Sequence, residues 1–577
     1  MSLEQYNNLP ELFFAKCKNN LQEDHLTFIN KHNENKKETW KWEDTKNKVL
    51  ALSNFLQSKV NVGDRVMLVS ENRPEWLISD LSIMINGSIT VPNYTTYTIK
   101  DFEYVIKDCE PIGLIVSSKN LFQTILQAAK NINYKFNFII HFDELNESLD
   151  NYKNLFNINL IFNDYQLSEL NFLNLQKIQR KDPACIIYTS GTEGNPKGVI
   201  LSHGGILCNC DGAIDLLKVI RNKKHSFLTW LPLSHSYEHT IQFVQIAMEA
   251  KVFYAESLEK LLVNLQDASP TIMTAVPRFY NNLFHKMNIK ANKETSFKKN
   301  IFFKTVELGK KVFLGQKLSL LEKLINFLCE NLVRKKIKKG LGGNIEAFVS
   351  GGGPLDPNVG LFLNSLGLQT LQGYGLTETS PVVSCNPPFQ VKIETVGKVL
   401  KGVEVKIEED GEILVKGENV MLGYWRKPEA TEKVLIDNWI YTGDIGEIDE
   451  EGYLKITDRK KDIIVNAGGD NISPAKIENL LCLDPMIEQA MVYGDNKNYL
   501  VALIYPSQEK KFTRDEIAKA IDKINHQLSA IEKIKNFYLL DEGFTIENNL
   551  LTPTMKLKRY LVKQKYMEVL NSFYKTK

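Results

Sequence analysis

Between residues 39 and 130 the apolar positions switch period several times. "TKNKVLALSNFLQSK" repeats its apolar residues at helical spacing, and "VGDRVMLVSEN" reads as a turn followed by a strand. "PEWLISDLSIMING" predicts a helix that starts at Pro74 and closes on Gly87, because proline suits the first helical turn and glycine the position beyond the last. A strand in "SITVPNY", a helix in "TIKDFEYVIKDCEP" and a strand in "GLIVSS" continue the series. Strands and helices alternating at this spacing predict βα units and mostly parallel sheets. The pattern resumes in "TIMTAVPRFYNNLFHKM" and again over 345–375, where "IEAFVSGGGPL" precedes a helix and then "LQTLQGYG". From about residue 400 the character changes. "GVEVKIEEDGEILVKG" is two short alternating strands around Asp410-Gly411, a hairpin signature. Beyond 460 comes a Lys-rich α+β module, and the polar run "TDRKKD" sets the boundary near 458–462, giving units 1–459 and 460–577. No internal repeat or low-complexity tract interrupts them.

A chain of 577 residues exceeds one compact core, which agrees with two or more domains. Its 43% hydrophobic and 24% charged residues are those of a globular protein, and a net charge of +2 gives no global signal for nucleic acid. Of eight scattered cysteines only Cys208 and Cys210 are close, and without a partner pair they read as buried free thiols in a reducing cytoplasm. The N-terminus lacks a basic and then apolar leader, and no run of about 18 apolar residues occurs, so neither a signal peptide nor a membrane span is expected. One stretch stands apart. Residues 297–340 carry twelve Lys/Arg against three Glu, with apolar residues at helical spacing in "LSLLEKLINFLCENLV". Two readings stay open: a solvated face on a helical hairpin, or peripheral docking on the inner face of an anionic membrane.

Candidate chemistry begins at "YTSGTEGNPKGV" (188–199), where Thr189, Ser190, Gly191, Thr192, Gly194, Lys197 and Gly198 cluster between two apolar runs that read as strands. Glycines let backbone N–H groups approach an anion, and hydroxyls and a lysine add donors and charge. A hydrophilic hairpin turn is the plain alternative. A Walker A loop is excluded, because counting from Gly191 puts Pro196 and Gly198 where Gly and Ser/Thr are required, and no helix start follows. Four later segments narrow the choice. In "GYGLTETS", Tyr374 can stack on a nucleobase, Thr377 can bond a phosphate and Glu378 can hold Mg²⁺. "NWIYTGDIG" presents Asp444, whose carboxylate can accept from vicinal hydroxyls. "TDRKKDIIVNAGGDNISPAKIE" supplies Arg459 and the Gly468-Gly469 pair, and "LLTPTMKLKR" places Lys556 on a loop.

With these segments in this order, the chain resembles the adenylate-forming (AMP-binding) enzymes, and among them the long-chain fatty-acid–CoA ligases, from about residue 10 to 565. "TSGTEGNPKG" is similar to the family's "TSGTTGxPKG", with Glu193 in place of the usual Thr. "LPLSHSYEHT" is similar to the segment whose histidine, here His235, lines the meeting point of acyl group and pantetheine. "TAVPRFY", "VSGGGPLD" and "GYGLTETSPVV" resemble the long-chain subgroup. The resemblance implies an α/β fold: a large N-terminal domain of two βαβαβ-type subdomains plus a distorted β-barrel, with a small mobile α+β C-terminal domain hinged at Lys461.

It also implies the chemistry. ATP, Mg²⁺ and coenzyme A are expected, with a fatty acid converted to acyl-AMP and pyrophosphate, then to acyl-CoA and AMP. Glu378 would hold Mg²⁺. Lys197 and the loop hydroxyls would meet the phosphates, and Lys556 would bridge carboxylate and α-phosphate. Adenine would lie by Gly351, Gly352, Gly353, Gln372, Gly373, Tyr374 and Gly375, with the ribose on Asp444 and Arg459. Rotation about Lys461 would withdraw Lys556 and bring Gly468 and Gly469 to the CoA path. A ligase that stops at acyl-AMP and loads a carrier protein is the alternative. A luciferase-type oxygenase and a non-catalytic binder are further rivals, the last opposed by the presence of Lys197, Glu378, Asp444 and Lys556 together. Oligomeric state is left open.

Overall fold

The computed structural model of the chain describes residues 2–29, 37–145, 154–163, 175–189, 196–220, 224–508, 510–552 and 555–574. The expected alternation is present. Trp42–Gln57, Pro74–Ile85 and Ile99–Cys109 are helices, while Arg65–Val69, Ile89–Asn93 and Gly113–Val116 are strands. Pro74 opens its helix, and Gly87, at φ +69°, stands just past its end. Thr98 and Asp101 close a reciprocal capping box at the start of Ile99–Cys109, which satisfies two otherwise orphaned N–H groups.

Two large sheets result. In the first, eight strands run in the order Gly423–Tyr424, Lys197–Ser202, Pro183–Thr189, Ile89–Asn93, Arg65–Val69, Gly113–Val116, Phe138–His141, Leu155–Asn157. The second has nine: Lys398–Val399, Val382–Cys385, Thr370–Gly375, Ala347–Ser350, Ile272–Ala275, Ser226–Thr229, Lys251–Tyr254, Asp24–Phe28, Glu38–Lys41. Both are parallel at the centre; the nine-stranded sheet is antiparallel at both edges and the eight-stranded sheet at one, so "mostly parallel" holds. The hairpin around Asp410-Gly411 joins Val403–Ile407 to Glu412–Gly417 within a bulged, five-stranded antiparallel sheet. After residue 460 a three-stranded sheet packs with helices around two hydrophobic clusters, and every member of both comes from that part of the chain. The eight cysteines are free; seven are buried and Cys482 is half-buried.

Helix Ser236–Ala247 is buried along its whole length, including Glu238 and His239. His239 Nε2 lies 2.8 Å from Asp80 Oδ2. Burial opposes a charge on that imidazole, but the Asp80 carboxylate outweighs it and raises the pKa to about 10. The pair therefore fixes this helix to Pro74–Ile85. Glu238 accepts from Thr274 Oγ1 at 2.8 Å, and burial pushes its carboxyl up to about 8. The folded carboxyl keeps its proton where the unfolded chain, at about 4.3, has lost it. Between roughly pH 4.5 and 8 this group therefore costs stability as pH rises, on the order of 1 kcal/mol per unit. Glu238→Gln cannot ionise. The melting-temperature difference, variant minus parent, should grow from pH 6 to pH 8, and a difference independent of pH would refute the assignment.

Candidate active site

Strands Pro183–Thr189 and Lys197–Ser202 pair antiparallel, with Thr189 opposite Lys197. The segments on either side of the small-residue loop are thus paired strands, and the one that follows it is a strand rather than a helix, in keeping with the exclusion of a Walker A loop. Ser190, Gly191, Thr192, Glu193 and Gly194 lie outside the described residues. Tyr104 Oη donates to the Pro196 carbonyl at 2.8 Å, and Lys427 Nζ donates to that same hydroxyl at 2.8 Å. The short strand Gly423–Tyr424 pairs with Val199 and Ile200 of the strand Lys197–Ser202. This sets the Tyr424 ring against Lys197, whose Nζ is 4.9 Å from its centroid. The Tyr424 hydroxyl donates to Glu378 Oε1 at 2.9 Å.

The second sheet supplies the opposite wall. Ser350, the last residue of its strand, is in register with Gln372; the Gly351–Gly353 loop follows the first, and Gly373, Tyr374 and Gly375 complete the strand of the second. A Cβ on Gly351 would stand 2.8 Å from the Tyr237 ring, and one on Gly375 would stand 1.7 Å from the Pro381 carbonyl oxygen. Close packing alone requires glycine at both. Ligands in open α/β sheets gather at such carboxyl ends of strands. Tyr374 leaves this wall with its hydroxyl donated to Asp444 Oδ2 at 2.8 Å, so its ring is pinned by an acid rather than left loose for a base. Thr377 Oγ1 lies 3.0 Å from Ser236 Oγ, a protein partner that the sequence did not reveal. Glu378 sits in the single turn Thr377–Thr379, and its carbonyl accepts from the Met421 N–H at 2.9 Å.

Charge converges on this wall from several elements. Asp444 is buried, and Arg459 Nε is 3.2 Å from its Oδ1. Burial raises the Asp444 carboxyl, while Arg459, the Tyr374 hydrogen bond and Lys556 pull it back. Lys556 comes from the part of the chain beyond 460, yet Arg459, Asp444 and Glu378 are the charges that act on it. Its side chain keeps contact with solvent, although protein crowds it. That crowding, and then Arg459, lower its pKa below the ordinary lysine value, against the pull of both carboxylates. His235 caps helix Ser236–Ala247, and its Nδ1 accepts from the Tyr237 N–H at 3.2 Å, which places any ring proton on Nε2. Burial, and after it the Lys556 charge, lower its pKa to about 3, so the imidazole is neutral.

Glu378, Asp444, Arg459, Lys556, His235, Tyr374, Thr377 and, through Tyr424, Lys197 therefore belong to one site. The glycine pair makes its hydrogen bonds elsewhere. Gly468 donates to Asn466 Oδ1 at 2.8 Å within its own exposed turn, and Gly469 adopts φ +86° there. Lys461 follows Lys460, whose amine bonds Asp410 at 2.6 Å and Glu412 at 2.8 Å. Tyr424, Tyr104 and Lys427 escaped the sequence reading. The one available signal was "MLGYWRK", an aromatic pair after a glycine.

The cluster holds three cations against two carboxylates, a balance that favours a polyanion. Glu378 has a neutral hydroxyl as its partner, which leaves carboxylate lone pairs for a hard cation. No group of three metal-ligating side chains occurs among the described residues, so Mg²⁺ here would draw its other ligands from phosphate and water.

Comparison with known proteins places this geometry. Residues 14–425 match the family described as AMP-binding enzyme, and 461–577 match the AMP-binding enzyme C-terminal domain. A long-chain-fatty-acid–CoA ligase of Mycobacterium bovis is similar, with 32% identity over 89% of this chain and 88% of its own. Long chain acyl-CoA synthetase 3 of Arabidopsis thaliana is 28% identical over 92% of this chain and 86% of its own. Among solved structures, an anthranilate CoA ligase complexed with anthranoyl-AMP superposes with a TM-score of 0.76 at 18% identity, over 99% of both chains. The o-succinylbenzoate CoA synthetase of Bacillus subtilis, with its acyl-adenylate, gives 0.70 at 21% identity, over 96% of this chain and 97% of that one. These two share the fold.

Proposed function

The chain belongs to the AMP-binding enzyme family, and we infer from that premise that it is a long-chain fatty-acid–CoA ligase. It joins the fatty acid to AMP at the expense of ATP and then passes the acyl group to CoA. The observation that carries the assignment of roles is the bonded group of Tyr374, Asp444 and Arg459, with Lys556 near enough for Glu378, Asp444 and Arg459 to act on its charge.

In the first half-reaction a carboxylate oxygen attacks the α-phosphorus and pyrophosphate leaves. Two anions must approach, so neutralisation and positioning supply most of the catalysis. Lys556 lies between carboxylate and α-phosphate, Lys197 meets the leaving phosphates, and Asp444 with Arg459 holds the ribose. Mg²⁺ held at Glu378 would supply positive charge to the phosphate oxygens. Tyr424 positions Glu378 through its hydroxyl and supports Lys197 with its ring.

In the second half-reaction the CoA thiolate attacks the acyl carbonyl and AMP leaves. Lys556 then obstructs the approach, and rotation at Lys461 exchanges it for the Gly468-Gly469 turn, whose missing side chains admit pantetheine. When Lys556 departs, the second of the two causes that depress the His235 pKa departs with it. We propose too that the acid is collected at an anionic membrane surface through residues 297–340.

The test follows AMP release from the purified protein with ATP, Mg²⁺ and CoA across saturated acids of increasing length. CoA-dependent release rising toward long chains is expected. A preference for short or aromatic acids would overturn the substrate class. Accumulation of acyl-AMP with no response to CoA would overturn the acceptor in favour of a carrier protein.

A further inference from the structure

The basic stretch resolves into helix Ser296–Phe313, helix Leu320–Cys329, a wider turn Glu330–Arg334 and the short helix Lys335–Gly340. Its inward side is fastened. Arg334 is buried, donating to the Ser365 carbonyl at 3.0 Å and to the Thr305 carbonyl at 3.2 Å, with Cys329 and Val333 buried beside it. Ser319 and Glu322 close a capping box that starts the second helix. With that side anchored, the opposite side cannot turn inward. Leu320, Leu321, Leu324, Phe327, Leu328 and Leu332 follow helical spacing along it, and their exposure runs from 47% at Leu328 to 86% at Leu320. A row of six large apolar side chains in water is unusual for a protein that functions free in solution.

The charges around the row are of one sign. All three glutamates of the stretch are occupied within it: Glu307 by Lys304 at 2.9 Å, Glu322 by Lys311 at 2.7 Å, Glu330 by Arg334 at 3.4 Å. Among the described residues no ion pair involves Lys317, Lys323, Lys335, Lys336, Lys338 or Lys339, which precede, flank and follow the apolar row. We propose that this face docks on an anionic lipid bilayer, with Leu320, Leu321, Leu324, Phe327, Leu328 and Leu332 entering the acyl boundary and the lysines meeting the headgroups. The proposal deepens the reading of a fatty-acid ligase and rests on it, because the acid's alkyl chain partitions into bilayers. Charge complementarity decides the occupant. Lysine is depleted from the cores of protein–protein contacts, and a second copy would bring like-charged lysines together. A Leu/Phe face beside lysines suits the plane of an anionic interface. No described helix is long and apolar enough to cross a membrane, so the element lies on the surface.

The experiment measures partition onto vesicles of phosphatidylcholine alone and of seven parts phosphatidylcholine to three parts phosphatidylglycerol. It compares the parent, Leu324→Gln/Phe327→Gln/Leu328→Gln, and Lys335→Gln/Lys336→Gln/Lys339→Gln. The first variant should lose about tenfold or more in partition onto the anionic vesicles. The second should lose several-fold there, and its deficit should vanish at high salt. AMP release from dissolved octanoate should be the same in all three proteins, which shows intact folding. Unchanged partition in both variants would overturn the proposal, as would a parent that binds neither vesicle. A parent dimer dispersed by the apolar variant, without vesicle binding, would overturn it in favour of a second copy. If no acid supports AMP release while vesicle binding behaves as described, the ligase reading falls and the docking face stands.

Discussion

Lys556→Ala should lower the rate of acyl-AMP formation by about 10²–10³ while leaving transfer from preformed acyl-AMP to CoA within a few-fold of the parent. The asymmetry follows from where the amine stands. In the described conformation the charges of Arg459, Asp444 and Glu378 act on it, where the proposed mechanism brings carboxylate and α-phosphate together. Charge builds up there only in the adenylating step. The thioester-forming step needs the same space cleared, so removal of the side chain takes nothing from it. Pyrophosphate exchange would measure the first half and thioester formation from synthetic acyl-AMP the second. Equal loss in both halves would remove Lys556 from its assigned role. The depressed pKa adds a sign. The ammonium is the active form, so adenylation by free enzyme should fall with rising pH at a lower pH than an ordinary lysine would dictate.

Glu378→Gln should cost about 10² in adenylation, with a raised Mg²⁺ requirement that excess metal does not fully repair. Tyr424→Phe provides the graded comparison. It removes the hydroxyl that donates to Glu378 at 2.9 Å but keeps the ring beside Lys197. One hydrogen bond of this kind corresponds to roughly tenfold, expected in the Mg²⁺-ATP concentration at half-saturation rather than in kcat. Calorimetric titration of Mg²⁺-ATP would show the same weakening without turnover. An unchanged titration together with a lower melting temperature would reduce Tyr424 to a packing residue.

Much of the architecture was legible because local signals agreed. Pro74 and Gly87 bracket a helix, Thr98 and Asp101 cap another, and the strands between are buried on both faces. The strands Asp24–Phe28 and Glu38–Lys41 were missed, since Asp24–Phe28 owes its existence to pairing with Lys251–Tyr254, more than 200 residues away. Glu378, Asp444, Arg459 and Lys556 were legible as motifs, and their roles came from the family resemblance. That Lys556 reaches the others is a tertiary fact which no spacing announces. Tyr424 was hidden for a related reason: its position depends on a two-residue strand finding the edge of the strand Lys197–Ser202. In the basic stretch, periodicity gave the amphipathic helix but could not say which face would be covered. The wider turn at Glu330–Arg334 rotates the later residues and was equally invisible.

The two hydrophobic clusters beyond residue 460 have a consequence for the energetics of the proposed rotation. Neither cluster draws a member from earlier in the chain. A swing about Lys461 would therefore leave both clusters whole and uncover little apolar surface, chiefly at Leu483, which packs against the core around Phe348 and Phe362. What it exchanges are surface contacts, such as Arg278 with Glu488 at 3.9 Å and His285 Nε2 with the Cys482 carbonyl at 3.3 Å. An exposed ion pair of this kind contributes about 1 kcal/mol or less. The two working positions can then be nearly isoenergetic, and the turnover cycle resembles a Brownian gate more than a loaded spring. Its direction is set by which nucleotide or thiol occupies the site.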